Sequence, residues 1–251
     1  MQAPEKNLAF DLVRVTESAA LSAARWLGKG DKEAGDGAAV DAMRLSFNSL
    51  GIQGTVIIGE GAKDKAPMLY NGETVGDGDG PVVDVAVDPV EGTRLLANGR
   101  PNAISVIGVC SGGHMYNPGP SYYMQKLVVG HAARNVIDLD APVRDNLTNI
   151  AKAIGKDVND LVVFVLDKPR HEKLIQEIRA TGARIQLHTD GDVAGALMVA
   201  DPRTDVDVMM GTGGTPEGVI AACAIKGVGG QMLCRLDPQS YVEKEAIEQA
   251  G

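Results

Sequence analysis

The sequence predicts an α/β protein in two halves, α+β over residues 1–140 and three-layer α/β over residues 141–251. Two observations carry this. Helix-spaced segments precede a group of short strands up to about residue 130, whereas strands and helices alternate from about residue 141 onward. The composition, 44% hydrophobic but only 4% aromatic over 251 residues, allows one large or two small cores built mostly from aliphatic side chains.

In the first half, Leu12, Val15, Ala19, Ala23, Trp26 and Leu27 recur at helical spacing and predict an amphipathic helix over residues 7–28. A glycine-rich turn over 28–35 follows, and Asp36 is expected to open a second helix to Leu50 with Val40, Met43 and Phe47 on one face. Residues 55–60 are rich in β-branched side chains and read as a strand. The glycine-punctuated turn over 76–80 leads to a strand from Val82 to Asp88, and further strands are expected near 103–110 and 122–130. In the second half, Val143, Leu147, Ile150, Ala151 and Ile154 share a helix face. Then come a buried strand (161–166), a helix (170–181) closed by Gly182, a strand (184–188), a helix (192–200) and a strand (206–210). The helix over 215–226 has Thr215 as its expected N-cap and Pro216 at its first position, and a strand over 231–235 ends the series.

Charge and composition exclude several function classes. The net charge is −9, with no basic stripe to displace the counterions of a nucleic-acid backbone. No apolar run approaches the ~18 residues that suggest a membrane span. The N-terminus lacks the apolar segment of a secretory signal, and three cysteines in apolar contexts have no metal-like spacing. A reducing cytoplasm is the expected location.

One run stands apart: Val82-Val83-Asp84-Val85-Ala86-Val87-Asp88-Pro89-Val90-Glu91-Gly92-Thr93-Arg94. An apolar strand delivers Asp88 to its end, where Pro89 is expected to stop it. Glu91 follows three residues later, and then a glycine turn. Two carboxylates beside backbone N–H groups suit a divalent cation shared with a phosphate, because magnesium and manganese take oxygen ligands. An Asp-Pro turn before a helix start is the plainer alternative.

This run resembles the Asp-Pro-x-Asp/Glu-Gly-Thr hallmark of the lithium-sensitive, metal-dependent sugar phosphatase superfamily. Ile57-Ile58-Gly59-Glu60-Gly61, Lys168-Pro169-Arg170-His171, Asp190-Gly191-Asp192-Val193-Ala194 and Pro216-Glu217-Gly218-Val219 narrow the resemblance to the class II fructose-1,6-bisphosphatases, in family order along the chain. The resemblance implies a sugar phosphatase fold of alternating helix and sheet layers and a cytoplasmic hydrolase of gluconeogenesis acting on fructose 1,6-bisphosphate. Its partners would be the sugar bisphosphate and further copies of itself, as a dimer or tetramer. Sedoheptulose 1,7-bisphosphate, another sugar or inositol phosphate, and catalytically silent binding are the competing expectations.

The resemblance also implies a site. Asp36 and Glu60 would hold one Mn2+ or Mg2+, with Asp88, Glu91 and Glu217 around another. Glu91, Gly92 and Thr93 would meet the phosphate, and Tyr123, Lys168, Pro169, Arg170, Asp190, Gly191, Asp192 and Gly214 the rest of the substrate. Thr93 would orient or deprotonate the attacking water, with Asp64 as proton acceptor and Lys32 supporting the site beside Asp36. Taken singly, each carboxylate has a duller reading: Asp36 as an N-cap, Glu60 in a solvated turn, Glu217 complementing a helix dipole. The chain departs from the family text at Ser121, Gln125, Thr212 and Thr215. It also lacks several tens of C-terminal residues, so a shortened second sheet with an exposed edge is expected.

Overall fold

A computed structural model describes residues 7–61 and 68–250. The chain forms two compact units, Met1–Asn117 and Pro118–Gly251. The first contains α1 (Leu8–Ala24), α2 (Lys32–Phe47), β1 (Gln53–Ile58), β2 (Thr74–Val75), β3 (Val82–Glu91), α3 (Thr93–Ala97) and β4 (Ile104–Ser111). Its sheet has the order β2-β1-β3-β4, with β1 and β3 parallel and β4 antiparallel to β3.

The second helix starts earlier than the sequence suggests. Asp31, not Asp36, is its N-cap and accepts a hydrogen bond from the Ala34 N–H at 3.0 Å. Gly35 reads as a turn residue but lies inside the helix for a packing reason. A Cβ there would come within 2.9 Å of Leu96 Cδ2 and 3.2 Å of Trp26 Cβ. The missing side chain is what lets α2 approach α3. The helices pack on one face of the sheet, where Val15, Ala19, Met43 and Phe47 meet Val83, Val85 and Val87. Burying side chains of this kind stabilises the fold by about 1.5–3 kcal/mol each for the larger ones.

Strand alternation turns Asp84, Ala86 and Asp88 to the opposite face. Asp84 is also buried, and it accepts the backbone N–H groups of His114 at 2.8 Å and Met115 at 2.9 Å. Burial pushes its pKa up, but the backbone donors together outweigh that and hold the carboxyl below its ordinary value. Asp84 is therefore the anchor for the turn after β4.

The second unit contains β5 (Tyr123–Val129), α4 (Val143–Ile154), β6 (Val162–Leu166), α5 (Glu172–Ala180), β7 (Arg184–His188), α6 (Asp192–Ala200), β8 (Val208–Gly214), α7 (Thr215–Gly227), β9 (Gln231–Leu236) and α8 (Tyr241–Ala250). The strand order is β7-β6-β8-β5-β9; β6 runs parallel to β7 and β8, while β5 pairs antiparallel with β8 and β9. Side chains of α4 and α5, including Leu147, Ile150, Ile175 and Ile178, pack with Val163, Val165 and Met210. Those of α6 and α7, including Ala196, Val199, Ala221 and Ile225, pack with Phe164, Leu166 and Met209. Alternate residues of the same strands serve the two cores, which is a three-layer arrangement.

Three expectations change. The division between units falls at residues 117 and 118 instead of 140 and 141, because β5 completes the second sheet rather than the first. Strand β8 continues through the glycines to Gly214, so that Gly214 is the N-cap of α7 and Thr215 its first residue. Thr215 turns its hydroxyl to Ser121 Oγ at 3.1 Å instead of capping the helix. Among the described residues, no helix is long and apolar enough to cross a membrane.

Candidate active site

In the first unit the site begins where β3 ends. Pro89 does not stop the strand. The ladder skips between Asp88, which faces Val106, and Glu91, which faces Ile104. Proline is tolerated at such a bulge because no ladder bond needs its missing N–H. The irregularity re-aims the carboxylates: Asp88 Oδ1 accepts the Val90 N–H at 3.1 Å, and Glu91 is buried, 4% exposed. Gly92 then adopts φ 84° and ψ 43°, the left-handed region, and begins α3 without a side-chain cap. Thr93, the first residue of α3, is half-buried.

Asp36 is half-buried within α2, so capping does not explain it. Burial raises its pKa first, Glu33 adds to the shift and Lys32 opposes it. Lys32 itself pairs with Glu33 at 2.9 Å on the exposed side of the helix start. Glu60 follows β1 in a half-buried turn, its N–H donating to the Leu69 carbonyl at 2.9 Å. The buried Glu73 closes that excursion, with its Oε1 2.5 Å from Arg44 Nε of α2 and its Oε2 accepting the Tyr70 N–H at 3.3 Å. Asp64 lies outside the described residues.

In the second unit, the expected substrate residues gather at the C-terminal ends of β6 and β7, where α/β sheets commonly hold ligands. Lys168 Nζ donates to Asp190 Oδ1 at 3.1 Å. Pro169 and Arg170 begin a 3-10 turn, and the Arg170 guanidinium lies 5.3 Å from the centroid of the Tyr123 ring. The Arg170 Nε donates to the Thr212 carbonyl at 2.9 Å, which fixes the guanidinium plane. Gly191, with φ 99°, turns the chain into α6 and places Asp192 in its first turn.

Asp192 meets a residue the sequence reading did not single out. Lys126 of β5 is 1% exposed, pairs with Asp192 Oδ2 and donates to the Gly214 carbonyl at 2.6 Å. A lone cation in the otherwise apolar run Leu127-Val128-Val129 that follows it was the available signal. Cβ atoms at Gly213 and Gly214 would collide with the carboxylates of Asp192 and Glu217. Both glycines therefore give the acidic groups room. Glu217 Oε2 is sealed from solvent and has no hydrogen-bond partner among the described residues. Burial raises the Glu217 pKa, Asp192 raises it further, and Lys126 opposes both.

Among the described residues, no three His, Cys, Asp or Glu side chains converge as a ready metal cluster. The individual donors nevertheless fit a hard cation. All five expected ligands offer oxygen, and the sealed Glu217 oxygen is a buried acceptor whose desolvation a cation would offset.

Layered α/β units of this kind commonly carry their functional side chains on loops at the ends of the strands. The chain matches the family model described as "Bacterial fructose-1,6-bisphosphatase, glpX-encoded" over residues 6–251. It is 50% identical over 231 residues to the "Fructose-1,6-bisphosphatase 1 class 2" of Escherichia coli K12, spanning 92% of this chain and 68% of that relative. The "Fructose-1,6-bisphosphatase class 2" of Shigella flexneri matches at the same identity and coverage. The chain belongs to the class II, glpX-type fructose-1,6-bisphosphatase family.

His171 locks the Lys168–Arg170 turn to β8. Its Nδ1 lies 2.7 Å from the Leu166 carbonyl, and its Nε2 accepts the Thr212 N–H at 2.8 Å. This assigns the proton to Nδ1 and makes the ring neutral. Burial depresses the His171 pKa, so folding favours the neutral form. The resulting stability is complete above the unfolded value, about 6.5, and is lost as pH falls from there through the folded pKa. The melting temperature is expected to decline as pH drops below about 6.5. The decline should be shallower in His171→Gln, with His188, likewise depressed by burial, carrying part of the remainder. Thermal melts of both proteins across pH 5–8 check this; identical profiles would contradict it.

Proposed function

We propose that the protein hydrolyses the 1-phosphate of fructose 1,6-bisphosphate, giving fructose 6-phosphate and inorganic phosphate, with Mn2+ or Mg2+ as cofactor. The observation that carries this reading is the bulged end of β3. There Asp88, Glu91, Gly92 and Thr93 lie in sequence on a chain 50% identical to named fructose-1,6-bisphosphatases.

Asp36, Glu60, Asp88, Glu91 and Glu217 would hold the cations. When bound, these cations offset the acidity of the site and of the substrate, activate water and neutralise charge on the leaving oxygen. The chain's own groups bind and orient. Gly92 and Thr93 at the start of α3 offer backbone N–H groups to the phosphate. The Thr93 hydroxyl aligns the attacking water, and Asp64 accepts its proton. Lys168, Arg170 and Tyr123 grip the remainder of the substrate, with Asp190 holding Lys168 in register and Asp192, at the start of α6, paired with Lys126. Lys32 supports Asp36 electrostatically, in keeping with its lowering effect on that carboxyl.

Phosphate release from fructose 1,6-bisphosphate tests the reading. Chelation should abolish turnover and Mn2+ or Mg2+ should restore it, whereas turnover persisting in excess chelator would refute the cofactor assignment. Thr93→Ala should lower kcat by about 10²–10³-fold with a much smaller rise in KM, since the interaction strengthens in the transition state. Thr93→Ser should recover much of the loss. Asp64→Ala should behave like Thr93→Ala, and the double variant should be little worse than either alone. A change confined to KM would assign Thr93 to ground-state phosphate binding instead.

A further inference from the structure

The start of β5 is held from outside the sheet by one side chain. Glu243, in the first turn of α8, is a carboxylate only 3% exposed. Its Oε1 accepts the backbone N–H of Tyr122 at 2.7 Å and of Tyr123 at 3.0 Å, and its Oε2 accepts the Gln239 N–H at 2.9 Å. Ser240 Oγ accepts the Glu243 N–H at 3.1 Å, the Ser-x-x-Glu pattern of a capping box. In a capping box the glutamate turns back to the N-cap's own N–H. Here the carboxylate reaches past the cap to Gln239 and across to β5. A buried carboxylate is tolerated when it is fully hydrogen-bonded, and bonds to an ionised acceptor are the stronger kind.

The segment leading into α8 completes the clamp. The Asp237 N–H donates to the Tyr123 carbonyl at 2.9 Å, so Tyr123 is fixed through both its backbone groups. Thr212 Oγ1 donates to Asp237 Oδ2 at 2.6 Å, and the Thr212 carbonyl accepts from Arg170 Nε at 2.9 Å. The Tyr123 ring and the Arg170 guanidinium that faces it are thus both tied to residues 237–243.

We infer that Glu243 is a positioning residue for substrate binding, setting the Tyr123–Arg170 pair through the backbone of β5. This rests on the reading of Tyr123 and Arg170 as substrate contacts. The role belongs to binding and not to the chemical step, because the bonds of the clamp run to Tyr122, Tyr123 and Gln239 and, through Asp237, to Thr212.

The test is steady-state phosphate release from fructose 1,6-bisphosphate by the full chain with Mn2+, with thermal melts alongside. Glu243→Ala should raise KM about tenfold while kcat stays within about twofold. Glu243→Gln should fall between this variant and the unaltered chain, because its amide oxygen can still accept the two tyrosine N–H groups. Thr212→Val, which cuts the arm to Asp237, should raise KM by a smaller factor. The Mn2+ concentration for half-maximal activity should be the same in all three. Tyr123→Ala is measured in parallel. If it raises KM while the Glu243 variants do not, the inference is overturned and the substrate reading stands. If it leaves KM unchanged, Tyr123 is not a substrate contact and the inference falls with it. A loss of kcat at constant KM in the Glu243 variants would also overturn it. Should Glu243→Ala fail to fold, Glu243→Gln and Thr212→Val decide by the same criteria.

Discussion

Strand β3 is buried along nearly its whole length, with Val83, Val85 and Val87 against the helices and Asp84 and Ala86 enclosed on the other face. Such a strand can present polar groups only through a fully bonded exception or at its end. Asp84 is the exception, satisfied by the turn after β4. Its end is the bulge at Pro89, and every expected phosphate contact of the first unit follows from it. The bulge takes Pro89 and Val90 out of the regular ladder just after Asp88, brings Glu91 back into it, and leaves Gly92 to make the left-handed turn into α3. Gly35 serves the same end from the other side, since its bare backbone admits the Leu96 side chain of α3.

The second unit solves a related problem with opposite means. Its strands are apolar, yet β5 carries Lys126 into the interior, where the ammonium is held by Asp192 and the Gly214 carbonyl. Removing either charged partner of a buried pair leaves an uncompensated charge, so such pairs fix geometry more than they add stability. Here the geometry fixed is that of α6, of the end of β8, and through Gly214 of the Glu217 carboxylate. His171 does the same for the Lys168–Arg170 turn, using a neutral ring bonded at both nitrogens. Rigid supports of this kind place charged side chains on loops without letting the loops wander.

Much of this was legible in the sequence, and the parts that were not have physical reasons. Apolar periodicity located the long helices and the buried strands, because one-sided burial leaves a regular pattern. The start of α2 was misplaced because Gly28, Gly30 and Gly35 look alike in a sequence. Only the first two adopt positive φ, while the third is a close-packing position. Pro89 was read as a stop because the bulge that accommodates it depends on pairing with β4, a contact distant in the chain. The extension of β8 from Met210 to Gly214 is not readable from the sequence, because glycines in a strand signal close approach as well as turns; here they yield to the Asp192 and Glu217 carboxylates. Strand β5 was assigned to the wrong half since order along the chain carries no record of partners. The expected site residues rest on motif resemblance, whereas Lys126 and Glu243, which hold some of them through buried charge and backbone, belong to no such motif.

The central claim is that the end of β3 carries the chemistry, and Asp88→Asn tests it most directly. The substitution keeps the shape and a side-chain oxygen that can accept the Val90 N–H, while it removes the charge and turns the other oxygen into an N–H donor that cannot ligate a cation. Phosphate release from fructose 1,6-bisphosphate under saturating Mn2+ should fall at least about a hundredfold, the scale of losing a transition-state contact, with the melting temperature little changed. A rate near that of the unaltered chain would contradict the account.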